Sequence, residues 1–406
     1  MTLLYFHLGH VGREFYLAIP PASFEESHIT NLSRRLDIVA LANGHLEIIL
    51  PYRNHTSTYV INSAVVKTIE LPNDFVPNRS LIEAVYITSD VEIAVYVTQT
   101  NAHLFETSLV YPSDILGTDY SVPHIHIMVV MAIQDDTRVN IEFSNGTSNV
   151  YNLAKFEVYT TFLPIKDNAY VNVGTSAPVA VFSGAYCYSD KPCGFATIQQ
   201  TPRDKWSKAF ITAFTFNHLE FILNPDRTTV RSCGIDLNAT LCNTTRYTNE
   251  TAVMSLTDLS YASTFISETT IQVYVTVKLF NSVLNVPGLS QYIADYLFAI
   301  PDSYGSIEKV IFVTVLKGQI SRLRLDGNEI STPIVVNDVA EPFNDYSTLM
   351  FSITTGFHRL VDLDGIPFGL ICAGGYGNED DEEFDTYMYP AGLQFKTGMI
   401  SCILEG

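Results

Sequence analysis

Basic residues are scarce in this chain. Lys and Arg number 23 against 43 Asp and Glu in 406 residues, a formal charge of −20. Binding to nucleic acid rests on basic side chains neutralising phosphates, and anionic membrane surfaces attract polybasic segments, so this balance argues against both. No run approaches the roughly 18 apolar residues of a membrane span. No two cysteines have the C-x-x-C spacing of a zinc or redox site. The G-x-S-x-G elbow of serine hydrolases is missing: Phe182–Gly184 reads FSG, lacks the first glycine and lies at the exit of a strand. Phosphate-cradling glycine loops are absent as well, since the run GGYG at Gly374 leads into acid, which repels phosphate. There is no long Ala/Glu/Leu/Lys-rich stretch, which removes a dominant helix.

What remains is rich in Tyr, Phe, Val, Ile and Thr, residues that favour strands. Apolar residues make up 47% of a chain long enough for two to four domains, so sizeable cores can be buried. Six cysteines are compatible with three disulfides. Cys187 and Cys193 are close enough to staple a short loop, Cys233 and Cys242 enclose "CGIDLNATLC", and elimination pairs Cys372 with Cys402. Asn-X-Ser/Thr acceptors stand at Asn31, Asn54, Asn78, Asn145, Asn238, Asn243 and Asn249. Disulfides and sequons together point to the secretory pathway. The start "MTLLYFHLGHVG" has no basic leader and its apolar run is broken by His7, so the expectation is a fragment or an incomplete gene model of a secreted protein.

Hairpin signals recur along the chain. "LDIVALANGHLEIIL", "IHIMVVMAIQDDTRVNIEF", "LEFILNPDRTTVRSC" and "VIFVTVLKGQISRLRL" each read as strand, turn, strand, with turns at Asn43, Asp135, Asp226 and Gly318. Their spacings are 92, 91 and 92 residues. A proline precedes an aromatic or leucine at Pro20/Phe24, Pro112/Leu116, Pro202/Trp206 and Pro301/Tyr304. Apolar strands entered through small or acidic residues close each unit: "ITSDVEIAVYV", "GTSAPVAVFSG", "ISETTIQVYVTV" and "VDLDGIPFGLICAG". Shared spacing of separate landmarks is the mark of internal duplication. The expected fold is all-β, four tandem β-sandwich-like repeats of about 90 residues at 12–100, 101–188, 189–290 and 291–378, with 379–406 as an acidic loop and tail closing the last. The alternative is an eight-bladed β-propeller with two blades per unit.

Candidate chemistry is thin. His124 and His126 share one face of a strand, half of a metal site whose third ligand cannot be named. The acidic run "GNEDDEEFDTY" offers Asp380, Asp381, Glu383 and Asp385 to calcium, although its spacing is not that of an EF-hand and such runs are usually solvated loops. A glycosidase needs a carboxylate pair at a defined separation, which a sequence does not reveal. The densest cluster of unusual residues, "FSGAYCYSDKPCGFATIQQTPRDKWSKAF", falls at the junction of the second and third units. Trp206 is therefore read as a core anchor at a seam, and no catalytic residue is assigned.

The same seam resembles the signature of the IgGFc-binding protein N-terminal domain family, roughly K-P-V-A-V-F-S-G-x-x-C, C-D-H-x-x-x-Q-L-P-P and W-G-K-x-F. Pro178, Val179, Val181, Phe182, Ser183, Gly184, Cys187, Cys193, Gln200, Pro202, Trp206, Lys208 and Phe210 fall on it. "GREFYLAIP", "FETSLVYPSDILGTDYSV", "DDTRVNIEF" and "TYMYPAG" resemble further family segments, so the likeness runs from Gly12 to about Gly392. The family's Asp-His after the second cysteine is Gly194-Phe195 here, and its Trp-Gly is Trp206-Ser207. The resemblance implies a secreted adhesion or recognition module, mucus- or surface-associated and not an enzyme, with an extracellular protein or glycoprotein partner of mucin-like or immunoglobulin-like kind. Fc binding itself is not carried over, because no contact residues can be matched. A carbohydrate-binding or carbohydrate-active protein using a cleft between repeats is the second reading.

Overall fold

The computed structural model describes residues 9–19, 33–72, 83–101, 104–123, 127–162, 170–184, 197–212, 219–225, 228–236, 239–247, 252–256, 263–277, 282–302, 308–376 and 385–395. Its regular elements are antiparallel strands and a few short 3-10 turns. Strands β1 (Gly12–Ile19), β2 (Ser33–Ala40), β3 (Gly44–Leu50), β4 (His55–Ile61), β5 (Lys67–Glu70), β6 (Glu83–Asn101) and β7 (Leu104–Val110) form one sheet ordered β4-β3-β6-β2-β5, with β1 and β7 also on β6. The long strand serves two neighbourhoods. Its first half lies against β1 and β3, with Tyr86 opposite Tyr16 and Ile49. Its second half lies against β2 and β7, with Tyr96 opposite Asp37 and Leu109.

Two more sheets repeat this order. The second comprises β8 (Gly117–Pro123), β9 (Ile127–Ala132), β10 (Thr137–Phe143), β11 (Ser148–Leu153), β12 (Val158–Phe162), β13 (Tyr170–Gly184) and β14 (Thr197–Gln199). The third comprises β15 (Ser207–Ile211), β16 (Leu219–Pro225), β17 (Thr229–Asp236), β18 (Ala239–Arg246), β19 (Ala252–Leu256), β20 (Thr264–Val277) and β21 (Ser282–Asn285). In all three, the pairing of the first strand with the long strand shifts register where the long strand passes between its two halves, at Gly12/Glu14 on β1, Gly174/Val179 on the long strand β13, and Ser207/Ala209 on β15. Such irregularities bend a strand and let one strand serve two facing layers.

The last region holds β22 (Asp295–Ile300), β23 (Glu308–Leu316), β24 (Leu323–Leu325), β25 (Asn328–Glu329), β26 (Val335–Asp338), β27 (Tyr346–Ser352), β28 (Gly356–Asp362), β29 (Gly369–Tyr376) and β30 (Asp385–Pro390) in two sheets, β22-β28-β24-β25 and β26-β27-β23-β29-β30. Here the long strand is cut. A turn after β28 is held by Asp362, whose Oδ1 accepts from the backbone N–H of Asp364 (2.8 Å) and Ile366 (3.1 Å), with Gly365 at φ 73°. β28 then pairs as a first half does and β29 as a second half does.

Burial follows the sequence pattern. "TRVNIEF" in β10 alternates buried and exposed, one wet face and one dry. "IMVVMA" in β9 is buried at every position. Its Met128, Val130 and Ala132 join Tyr120, Val139 and Val173 in a core enclosed by both halves of the second sheet, the arrangement of a sandwich. Ile127, Val129 and Met131 point the other way, into a cluster with Phe15, Leu17 and Ile38 of the first sheet. Neighbouring regions therefore pack sheet against sheet. Gly12 and Gly117 allow the close joints: a Cβ on either would lie 2.4 Å from Pro112 or 2.6 Å from Pro202.

The expected hairpins are not hairpins: Asn43, Asp135 and Gly318 lie between second and third strands that pair with the long strand or its pieces and not with each other, and Asp226 lies outside the described residues. The four closing motifs lie on β6, β13, β20 and β28–β29. The proline landmarks divide into two kinds. Pro112 and Pro202 precede 3-10 turns, Ser113–Ile115 and Arg203–Lys205, that end at Leu116 and Trp206. Pro301 instead directly follows β22, as Pro20 follows β1. The place of Trp206 in the last region is taken by Tyr292, after the 3-10 turn Leu289–Gln291, with Gly288 where a proline was expected. Leu104–Val110, beyond the expected boundary at 100/101, pairs with the first sheet.

Candidate functional site

The described part of the cysteine-, glutamine- and tryptophan-rich seam is β14 and the segment leading into β15. Phe182, Ser183 and Gly184 pair with Gln199, Ile198 and Thr197. Gln199, Gln200, Thr201 and Trp206 are buried. A buried amide must find partners, because desolvation without them costs more than the bond returns. Gln200 Nε2 donates to Ser183 Oγ (2.7 Å), and its Oε1 accepts from the Tyr274 hydroxyl (2.7 Å). Gln199 Oε1 accepts from the Tyr111 backbone N–H (2.6 Å). Asn285 Nδ2 donates to Thr201 Oγ1 (2.8 Å), and Gln272 donates to the Asn285 side-chain carbonyl. The Trp206 indole donates to Thr201 O (3.0 Å), and the Arg203 guanidinium lies 5.5 Å from the indole centre. Nine hydrogen-bonded residues thus bind the end of the first sheet, the second sheet and the third.

This network surrounds the middle of the molecule. β7 packs on β14, β14 on β21, β21 on β30, and β30 on β7, a closed ring of four strands. Their C-terminal ends line a cavity of about 10 Å³ through Leu109, Gln199, Asn285 and Tyr389. That is room for about one water, so the axis is filled rather than open. Burial pushes the Tyr111 hydroxyl up to about 12 and raises that of Tyr274 further. Glu106 on β7 is 7% exposed, its Oε2 has no hydrogen-bond partner, and burial holds its carboxyl well above the usual range. Burial favours the uncharged form of each of these groups at this junction between sheets.

The family model for the IgGFc binding protein matches residues 106–374. The chain belongs to this family. The match begins within β7 and ends within β29, so this IgGFc-binding family region takes in the whole amide network. No curated protein matches the chain. The matched residues of the signature place Gln200, Pro202 and Trp206 in the buried junction, where they join sheets.

The other expected residues distribute as follows. His124, His126, Asp380, Asp381 and Glu383 lie outside the described residues, and Asp385 opens β30 opposite Tyr376. Among the described residues no group of three or more His, Cys, Asp and Glu side chains is placed to hold a metal ion. Cys233 and Cys242 are disulfide-bonded across β17 and β18, directly opposite in register with Cα atoms 4.1 Å apart. Cys187 and Cys193 lie outside the described residues. Cys372 departs from the expected bridge to Cys402: it is a free thiol. Its side chain points into the core beside Tyr389, where burial raises its pKa. Cys402 is outside the described residues. Asn54, Asn145 and Asn243 are exposed, as a glycan acceptor must be, while Asn31, Asn78, Asn238 and Asn249 lie outside. No helix is long and apolar enough to cross a membrane among the described residues.

Proposed function

We propose that this chain is a non-catalytic extracellular recognition module, secreted and associated with mucus or a cell surface. Its partner would be a protein or glycoprotein of mucin-like or immunoglobulin-like kind. The observation that carries this reading is the family membership over residues 106–374. The geometry supports it, because the unusual polar residues of the seam are spent on internal hydrogen bonds and face no cleft. On this reading the chain is four copies of one seven-stranded unit, at about 12–110, 117–199, 207–285 and 295–390, the last with its long strand cut; the shared strand order supports it. The bridge Cys187–Cys193, the glycans, and calcium held by Asp380, Asp381, Glu383 and Asp385 belong to the same proposal. Such a scaffold presents surfaces rather than a reaction centre.

The test is capture by the secreted, glycosylated chain of purified mucin and of immunoglobulin Fc, with calcium and with a chelator. Saturable binding to either supports the reading, and calcium dependence adds the acidic run. Turnover of a glycoside substrate with no capture of either protein would replace it with the carbohydrate-active reading.

A further inference from the structure

The first and second sheets differ at one equivalent place. In the order β4-β3-β6-β2-β5, strands β4 and β5 are both edges, and the long strand's bend brings the two half-sheets that carry them face to face. The second sheet has the same edges in β11 and β12. There Tyr151 and Tyr159 meet across the opening, ring centres 4.3 Å apart and planes tilted by 37°. The residues 92 positions earlier are Tyr59 and Lys67, and a lysine cannot fill the space a second ring fills. Lys67 Nζ lies 5.6 Å from the Tyr59 ring centre, and beside it the first sheet has a groove of about 210 Å³.

The groove is built in two tiers. Its floor is apolar: Ile48, Leu50, Ile69 and Leu71 are each 2–4% exposed. Its rim is polar and aromatic, with Tyr59, Glu70, His55 and Ser57. The rim groups are oriented before any ligand arrives. Glu70 Oε2 accepts from Ser33 Oγ (2.8 Å), and the His55 ring Nε2 lies 2.8 Å from Ser57 Oγ.

We infer that this groove binds a single neutral sugar ring bearing an acetamido group, the terminal N-acetylhexosamine of a glycan. Size comes first: pockets for drug-sized ligands span about 300–1,000 Å³, so this one suits one ring. Chemistry narrows it further. Sugar C–H faces pack on aromatic rings, the acetamido methyl gains by leaving water for an apolar floor, and a carboxylate accepts charge-assisted hydrogen bonds from hydroxyls. Charge then favours a neutral sugar over a sialylated or sulfated one, because Glu70 on the rim repels anions while the Lys67 ammonium is held over the Tyr59 ring and does not line the groove. The site stands apart from the family reading, which concerns a protein partner.

The experiment is saturation-transfer NMR and calorimetry on the full chain with N-acetylglucosamine, N-acetylgalactosamine and glucose. At least one acetamido sugar should bind saturably with a dissociation constant on the order of millimolar, as its few heavy atoms allow, and glucose about fivefold more weakly or worse. Lys67→Tyr, which copies the second sheet, should set a second ring against Tyr59 at the edge of the groove and abolish binding while the melting temperature holds. Glu70→Gln, an exposed and conservative change, should weaken binding several-fold, and Tyr151→Ala should leave it unchanged. No saturable response to either acetamido sugar, equal responses to glucose, binding retained by Lys67→Tyr, or a preference for peptide over sugar would each overturn the site. Capture of mucin or Fc after enzymatic removal of their glycans would leave the protein-recognition reading standing regardless.

Discussion

Two junctions close this molecule by different means. The first and last regions meet through tyrosines and phenylalanines: Tyr96 against Tyr389 (5.4 Å between ring centres), Phe105 against Tyr387 (5.2 Å), and Phe298 fully buried in the same cluster. Two of the hydroxyls there go to backbone carbonyls, Tyr96 to Ala391 O (2.7 Å) and Tyr389 to Ala299 O (2.5 Å), while the Tyr387 hydroxyl is buried with no hydrogen-bond partner. The second and third regions meet through amides, and among the described residues no apolar cluster spans both. Large apolar area contributes magnitude but little direction. Paired amides contribute less and tolerate one register only. The closing joint of a ring needs strength, because it is held without a chain connection. The seam between the second and third regions gains orientation from its amides, whereas the first and second, and the third and last, meet through apolar clusters. If so, Phe298→Ala should lower stability by about 3–5 kcal/mol, the usual cost of emptying a buried aromatic site. A melting temperature within a degree or two of the parent would remove the aromatic joint from this account.

The aromatic joint also carries a proton-sensitive group. His10 is fully buried beside Tyr296, its Nε2 lies 3.1 Å from Leu297 O, and burial lowers its pKa from 6.5 to about 4. Between these values the unfolded chain binds a proton that the native one refuses, so stability falls as the pH drops from 6.5 and the loss is complete below about 4. The full loss is about 3 kcal/mol, at about 1.4 kcal/mol per pKa unit. Thermal melts of the parent and of His10→Gln at pH 7 and pH 4 should show the larger drop in the parent; parallel drops would mean that His10 titrates normally.

The amide seam should respond less in magnitude and more in coupling. Gln200→Leu leaves Ser183 Oγ and the Tyr274 hydroxyl short of a partner, at a cost of about 1–3 kcal/mol. Tyr274→Phe on top of it should cost less than it does alone, because the hydroxyl it removes is already stranded. Strict additivity in that double-mutant cycle would show that the two side chains act independently and that the seam is not a network.

Much of this was legible along the chain, for physical reasons. The breaks at Asn43, Asp135 and Gly318 announce themselves through local chemistry, and β10 through its alternation, but the strands they separate pair with the long strand rather than as hairpins, which local sequence does not record. Cys233 and Cys242 sit at matching distances from their turn, so their spacing already implies opposition across a hairpin. Trp206 reads as a core anchor because a lone tryptophan at a strand entrance has little else to do. The misses have reasons too. Tyr292 escaped because Gly288 is inserted between Pro287 and its turn, which sets the proline five residues ahead of the aromatic instead of three or four. Cys372 was paired by elimination, whereas its isolation is set by tyrosines brought from β30, far along the chain. The groove at Tyr59 depends on two edges meeting in space, and no local pattern records a residue that fails to fill a gap.

Glu106 gives the finest test of the contrast, because it is an ionisable group placed where the two kinds of junction meet on the central ring. On β7 it is nearly enclosed, with one carboxylate oxygen unpaired and a pKa raised by burial. The native state therefore holds a proton that the unfolded chain gives up near its ordinary value. The sign follows: Glu106 costs the fold nothing at low pH and destabilises it increasingly as the pH rises above the unfolded value. Gln is close to the protonated acid in shape and has no proton to lose. Glu106→Gln should thus be level with the parent in acid and more stable at pH 8 by about 1 kcal/mol, the ordinary scale of a single-residue effect. Melts across pH 4–8 decide it. A constant offset between the two proteins would mean that the carboxyl ionises freely and that its burial on the ring does not hold the proton.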